Sequence, residues 1–390
     1  MLMLKKRTWI FIAAGAVFLI ALSILICAAA INSKTIKVAF YGIDKNAESA
    51  IKEQIDKMKF GRVRYYDLDE DSELPKKVQK KYSILIANNS FALNSRAKNF
   101  IPINENILEA LPISIRKATS YGQAHYALPL LLDHFEIAYY QITEKELGLA
   151  RPKTYGELLR YLEALKGKIE IPFVCAGLND TELFGFVSAM AELLYGAEDY
   201  AKAVAVLRES SNMNKENLPE AIAQVLDEIK AMQERGLIFP KWTNTSESDI
   251  KYFMRERKIG SVAMLLSKRR DIEYNLVRYY ESDSFPKYDA RADHGIVAPQ
   301  VVAVLLKDKS EAALLLGNLV SPEIQESLSN ESFLAPVASR AEAFDRQADD
   351  IRFWAASCVA GPLNSIEQEC ETTKERRHIL AQKIRAYLER

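Results

Sequence analysis

Between Thr35 and Ala87 the chain alternates three strand-length segments with two helical ones, and this alternation limits the fold more than any other feature. Thr35-Ile-Lys-Val-Ala-Phe-Tyr41 alternates polar and apolar residues and reads as a strand that Gly42 breaks. Asp44 then stands where a helix cap belongs, with Ile51, Ile55 and Met58 on one helical face. Arg62 to Leu68 reads as a second strand. Residues 69–81 are mostly charged and read as a loop leading into a short helix. Tyr82 to Ala87 is an apolar run of the kind buried in a parallel sheet, and Asn88-Asn89 ends it. Strand, helix, strand, helix, strand predicts an α/β protein with parallel pairing. A length of 390 residues suits two domains or two lobes.

The pattern continues downstream. A short strand around Pro129 meets a polar break at Asp133-His134, and a second strand carrying Tyr139-Tyr140 follows. Thr154 and Glu157 have capping-box spacing, and Leu158, Leu159, Leu162 and Leu165 supply the apolar stripe of the helix they open. Ile169 to Cys175 reads as a strand, and Thr181 to Arg235 as almost continuous helix. Phe253 belongs to a helix that precedes the strand Gly260–Leu266. Residues 282–294 are polar and irregular, and Ile296 to Leu306 returns to strand. Ser310 is expected to cap a helix ending near Val320, and Ser321-Pro322-Glu323 restarts one with proline at the first helical position. Further helices are expected at 345–357 and around Ile379–Leu388.

Composition excludes several functions. Basic and acidic residues balance at 52 each, which lacks the basic excess of a nucleic-acid binder. No G-x-G-x-x-G or P-loop pattern occurs. The four histidines, at 125, 134, 294 and 378, do not combine with cysteines at zinc spacing, and no Gly-x-Ser-x-Gly elbow is present. No metal or cofactor and no catalytic residue is expected, so the chain does not read as an enzyme. Cys358 and Cys370 are the closest cysteine pair outside the N-terminus, and they read either as reduced thiols or as a disulfide.

The N-terminus sets the compartment. Lys5-Lys6-Arg7 precedes Trp9–Ile31, which carries no charge and is long enough to span a bilayer core of about 30 Å. Basic residues before the span keep the N-terminus cytoplasmic and place the bulk outside. Three fates remain open: an uncleaved transmembrane anchor, a signal peptide cut after Ala30, and a lipidated Cys27. Each exports residues 32–390, to the periplasm or the outer face of the cytoplasmic membrane.

Several motifs in order resemble the maltose-binding type of extracellular solute-binding protein, family 1, from ABC importers. Tyr126-Ala-Leu-Pro129 resembles its Tyr-x-x-Pro element, and Pro152-Lys-Thr-Tyr-Gly-Glu157 its Pro-x-Thr-Trp-x-Glu helix start. Gly260-Ser-Val-Ala-Met264 is similar to its Gly-x-x-Ala-Met strand, and Ser321-Pro-Glu-Ile-Gln325 to its Ser-Pro-Glu-x-Gln step. Phe333-Leu-Ala-Pro336 is similar to its Leu-Pro-Val element. Departures are Lys268-Arg269-Arg270, where Gly-Pro-Trp is frequent, and Gln141, where asparagine is usual.

The resemblance implies a type II periplasmic-binding-protein fold, two α/β lobes joined by hinge crossovers. It divides the chain into an N-terminal segment 1–33, a first lobe of 34–133 plus about 293–333, and a second of 134–292 plus 334–390. It implies capture of a small solute, carbohydrate by default, and delivery to the transmembrane subunits of an ABC permease. The departures keep a second function open, a membrane-anchored sensor or interaction module without a transport role.

Ligand crevices in such sheets lie at the C-terminal ends of the strands. That rule selects Tyr41 after the first strand, and Asn88, Asn89 and Phe91 after the third. It selects Asp133 and His134 at the first crossover. Asn179, Asp180 and Glu182 follow the Ile169 strand, and Ser267, Lys268 and Arg269 follow the Ala-Met strand. Trp242 lies in a polar segment and is a candidate for stacking on a sugar. Each has a plainer reading. Asp133 would be a turn cap and His134 a packed side chain; Tyr41, Phe91 and Trp242 would be core, and the basic run a solvated face.

Overall fold

The computed structural model describes residues 35–69, 72–122, 124–209, 220–289, 295–343, 345–358, 360–370 and 373–390. The apolar N-terminal span and its three fates lie outside the described residues. Among those described, no helix is long and apolar enough to cross a membrane.

The alternation that opens the chain builds a sheet. β1 (Ile36–Tyr41) pairs in parallel with both β2 (Val63–Leu68) and β3 (Ile84–Asn88). Asp44 caps the helix Lys45–Lys57 by accepting from the N–H groups of Asn46 and Ala47. Its buried Ile51 and Ile55 pack under β1 and β3. β4 (Ser120–Tyr121) and β5 (Ala124–His125) form a small hairpin ahead of β6 (Leu128–Leu132).

The chain then leaves this sheet. β7 (Phe135–Tyr140), β8 (Ile171–Cys175), β9 (Ile259–Leu265) and β10 (Tyr280–Asp283) form a second sheet in the order β10-β7-β9-β8. Every residue of β7, β8 and β9 is buried, because helices cover both faces. Pro172 sits in β8, an edge strand, where its missing N–H leaves no ladder bond unmade. The helical stretch Asp180–Glu209 is two helices, broken at Gly196, whose φ of 76° and ψ of 168° only glycine adopts freely.

β11 (Ile296–Val297) leads back, and β12 (Gln300–Leu305) inserts antiparallel between β3 and β6. β13 (Ala335–Pro336) pairs with β6, completing a six-stranded sheet in the order β13-β6-β12-β3-β1-β2. The first sheet is therefore closed by a strand that has visited the second. β14 (Pro362–Leu363) pairs in parallel with β11, so two connections between the sheets run side by side.

Local expectations hold with three changes. Ser310 is the first residue of the helix Ser310–Leu319 rather than its cap; Lys309 stands at the cap and makes no side-chain cap bond. Thr154 Oγ accepts from Glu157 N at 3.3 Å, but the Glu157 carboxylate accepts from Lys153 N at 2.7 Å rather than from Thr154 N. The reciprocal box occurs instead at Ser246 and Asp249. The segment from 334 onward also differs from the expected division. β13 stays in the first sheet, and Ala348, Ile351 and Ala355 of the helix Arg346–Ser357 join its core. The chain crosses a third time only beyond Cys358, reaching the helix Ile366–Cys370, which packs on Asp180–Glu209. The apolar face of Arg346–Ser357 decides this, since it fills the space beside β13. Cys175 and Cys358 are free thiols.

Candidate functional site

A cleft of about 530 Å³ opens between the two sheets, at the C-terminal ends of β1, β3, β8 and β9. From the first sheet come Tyr41, the Asp44 turn, Asn88, and Phe333-Leu334 before β13. From the second come the loop Asn179–Thr181 and the segment Leu265–Lys268. Glu367, Gln368, Lys374 and Arg377 of the C-terminal segment complete the wall. Strand geometry explains this gathering. Parallel strands all point their carboxyl ends one way, so the loops that follow them share one rim.

Asp133 stands on the first connection between the sheets. One carboxylate oxygen accepts from Ser267 N at 3.2 Å and the other from Ser267 Oγ at 2.7 Å. Burial pushes its carboxyl up to about 6, against the pull of those two hydrogen bonds. The loop after β8 is held from behind. Asn179 Oδ1 accepts from Thr181 N and Glu182 N. Asp180 pairs with His378 Nδ1 at 2.7 Å and with Arg385 Nη1 at 2.7 Å. Arg385 also donates to the carbonyls of Gly177 and Leu178, so the C-terminal helix fixes the loop's shape.

The cleft charges are met within the protein. Lys268 pairs with Glu247 at 3.2 Å, Asp271 with Lys251 at 3.3 Å, and Arg377 with Glu367 at 3.5 Å. Asp44 is engaged by its own helix N–H groups. Asn46, Asn88, Ser90, Thr181 and Gln368 add neutral donors and acceptors, and Tyr41 and Phe333 add rings.

Of the residues expected from the sequence, Tyr41, Asn88, Asp133, Asn179, Asp180, Ser267 and Lys268 line the cleft. The others do not. Trp242 is wholly buried, edge-on to Phe186 at 5.0 Å between ring centroids. It fits because Gly177 has no Cβ; one built there would lie 2.6 Å from the indole. Its polar neighbours in sequence disguise this. His134 is 1% exposed and packs against Trp354 at 5.5 Å. Asn89 is buried one residue past the rim, donating to Ala118 O and Gln300 Oε1.

Glu182 lies beneath the floor, accepting from Leu265 N at 3.3 Å, with burial pushing its carboxyl up to about 8. Phe91 is half-buried on the short helix Phe91–Asn94 and lies off the lining. Arg269 turns away and donates to Tyr280 O at 2.8 Å. Sequence reasoning missed Phe333, Glu367, Gln368, Lys374 and Arg377, all supplied by late segments with no strand end to mark them. Asp44 did carry a signal, because it caps the helix that follows a strand end.

No family model matches the sequence. It is 25% identical over 160 residues to a multiple sugar-binding protein of Streptococcus mutans. That match covers 40% of this chain and spans only 38% of the relative's length. Solved structures extend the likeness over the whole fold. The bacterial solute receptor AcbH, described as having an exclusive preference for D-galactopyranose, superposes with a TM-score of 0.71 at 10% identity, covering 91% of this chain and 95% of its own. The apo form of RafE from Streptococcus pneumoniae gives 0.65 at 15% identity, over 91% and 98%. RafE in complex with raffinose gives 0.59 at 13%, over 91% and 99%. At these identities the likeness to the solved structures is one of fold. The chain thus has the two-lobed α/β architecture of the type II solute-binding proteins that serve ABC importers.

Proposed function

We propose that this protein is an extracytoplasmic solute-binding protein, one that takes a small neutral polyhydroxylated solute, a carbohydrate, into the cleft and presents it to an ABC permease. The lobes in this reading are 35–133 with 296–357, and 134–289 with 360–390, turning about the paired connections at Asp133-His134, β11 and β14. The observation that carries the reading is the state of the cleft's charges. Asp133, Asp180, Lys268, Asp271 and Arg377 each have a partner inside the protein. A charged solute would have to displace one of these partners. A neutral sugar needs only the amides, hydroxyls and rings that remain. The relatives that bind sugars support the same class. Export through the N-terminal span places the cleft outside the cytoplasm.

A thermal-shift screen of the full-length protein against galactose, raffinose, citrate and spermidine tests the reading. A sugar at 100 times its dissociation constant should stabilise the fold by about 2.7 kcal/mol, with the two ions inert. A shift with citrate or spermidine alone would sink the neutral-sugar assignment. Unaltered sugar uptake in cells from which the protein has been deleted would favour the anchored sensor instead.

A further inference from the structure

The basic run Lys268-Arg269-Arg270 reads in sequence as a solvated face, yet its last member is the least exposed. The Arg270 side chain is 5% exposed, at the end of the short helix Leu266–Arg270 that follows β9. It leaves the second sheet and reaches the first. Arg270 Nη1 donates to Ser329 O at 3.3 Å and to Leu334 O at 3.4 Å, and Nε lies 3.9 Å from the Asp345 carboxylate. Its guanidinium lies 5.8 Å from the centre of the Phe333 ring. Phe333 lines the cleft, and its φ is 62°. A bulky L-residue holds that left-handed conformation only where its surroundings impose it.

We infer that Arg270 is a positioning residue that fixes Phe333 as an aromatic platform in the cleft, where the ring takes the apolar face of a pyranose. The inference rests on the carbohydrate reading above and deepens it. The carbonyls of Ser329 and Leu334 flank Phe333, so the guanidinium grips the turn on both sides of the strained residue. Ser329 Oγ also donates to Leu334 O at 2.7 Å, so the turn has little freedom. The grip comes from beside the first connection, where Leu266 N donates to His134 O at 2.9 Å. Rotation of the lobes moves atoms near that connection least. The platform is therefore preformed in open and closed states, which lowers the ordering cost of binding.

Calorimetric titration of the full-length protein with raffinose tests the platform, and hydrogen exchange without sugar tests the grip. Phe333→Gly removes the ring and also the backbone strain, so the fold persists. It should weaken raffinose binding about tenfold, while Phe333→Tyr keeps it. Arg270→Lys loses the planar fork. It should weaken binding in the same sense and speed exchange at Leu334 and Val337. The double variant Arg270→Lys with Phe333→Gly should bind no more weakly than Phe333→Gly alone. Additive losses, or unchanged exchange in Arg270→Lys, would overturn the positioning role. Failure of the wild-type protein to bind raffinose or galactose would overturn the carbohydrate reading and the pyranose platform, while the exchange measurement still decides Arg270.

Discussion

Asp133 on the first connection and Glu136 three residues later in β7 do opposite things. Asp133 looks into the cleft and engages a single residue, Ser267, through two hydrogen bonds. Glu136 looks to the rear and has no exposure at all. It receives hydrogen bonds from Ser282 Oγ at 2.6 Å and from Gln347, with Arg269 Nε 3.6 Å away. Gln347 belongs to the helix that packs on the first sheet, so Glu136 ties the two lobes together behind the hinge. The same split divides the segment after β9. Ser267 and Lys268 face the cleft, whereas Arg269 and Arg270 turn to the rear and hold carbonyls. Working and holding surfaces are separated by only one to three residues, because successive side chains leave a strand or a tight helix in different directions.

The sharpest way to break this contrast is Glu136→Ala. It leaves Gln347, Ser282 and Arg269 without their buried acceptor, so unfolding stability in urea should fall by about 3–5 kcal/mol. Glu136→Gln keeps the shape and should cost clearly less. A fall below about 1 kcal/mol for Glu136→Ala would mean that the rear network does not hold the lobes.

A smaller effect should come from Asp133, and it should depend on pH. Its folded-state pKa, about 6, lies above the ordinary 3.8 because burial disfavours the charge. Folding therefore favours the protonated form. That contribution is complete below about pH 4 and is lost as pH rises through about 6. Asp133→Asn removes the titration. The variant should gain stability relative to wild type between those values, on the order of 1 kcal/mol given the partial exposure of the site. Melting temperatures of both proteins at pH 4, 5, 6 and 7 would show it, and parallel profiles would refute it.

The smallest effect serves as a control on the comparison. Thr154→Ala removes one side-chain cap far from both faces of the hinge. It should cost about 1 kcal/mol of stability and leave raffinose affinity unchanged. A change in affinity would show that the second lobe transmits local fraying into the cleft.

The local elements were legible in the order of residues alone, because their causes are local. Asp44 and Asp345 each cap a helix with their own side-chain carboxylates, Pro322 starts one through its fixed φ, and the alternation from Thr35 to Ala87 dictates β1, β2 and β3. Also legible were the parts of the site that sit directly on strand ends, Tyr41, Asn88, Asp133 and Ser267, since a strand end is visible as a change of pattern. Tertiary structure decided the rest. Trp242 entered the core because a distant glycine, Gly177, left room for its ring. Asn89 turned inward because Gln300 of the returning β12 met it there. Phe333 reached the cleft, and Arg270 reached Phe333, only because the chain crossed between the sheets and came back. Contacts between residues far apart in the chain leave no periodicity to read, so they exist only once the two sheets are side by side.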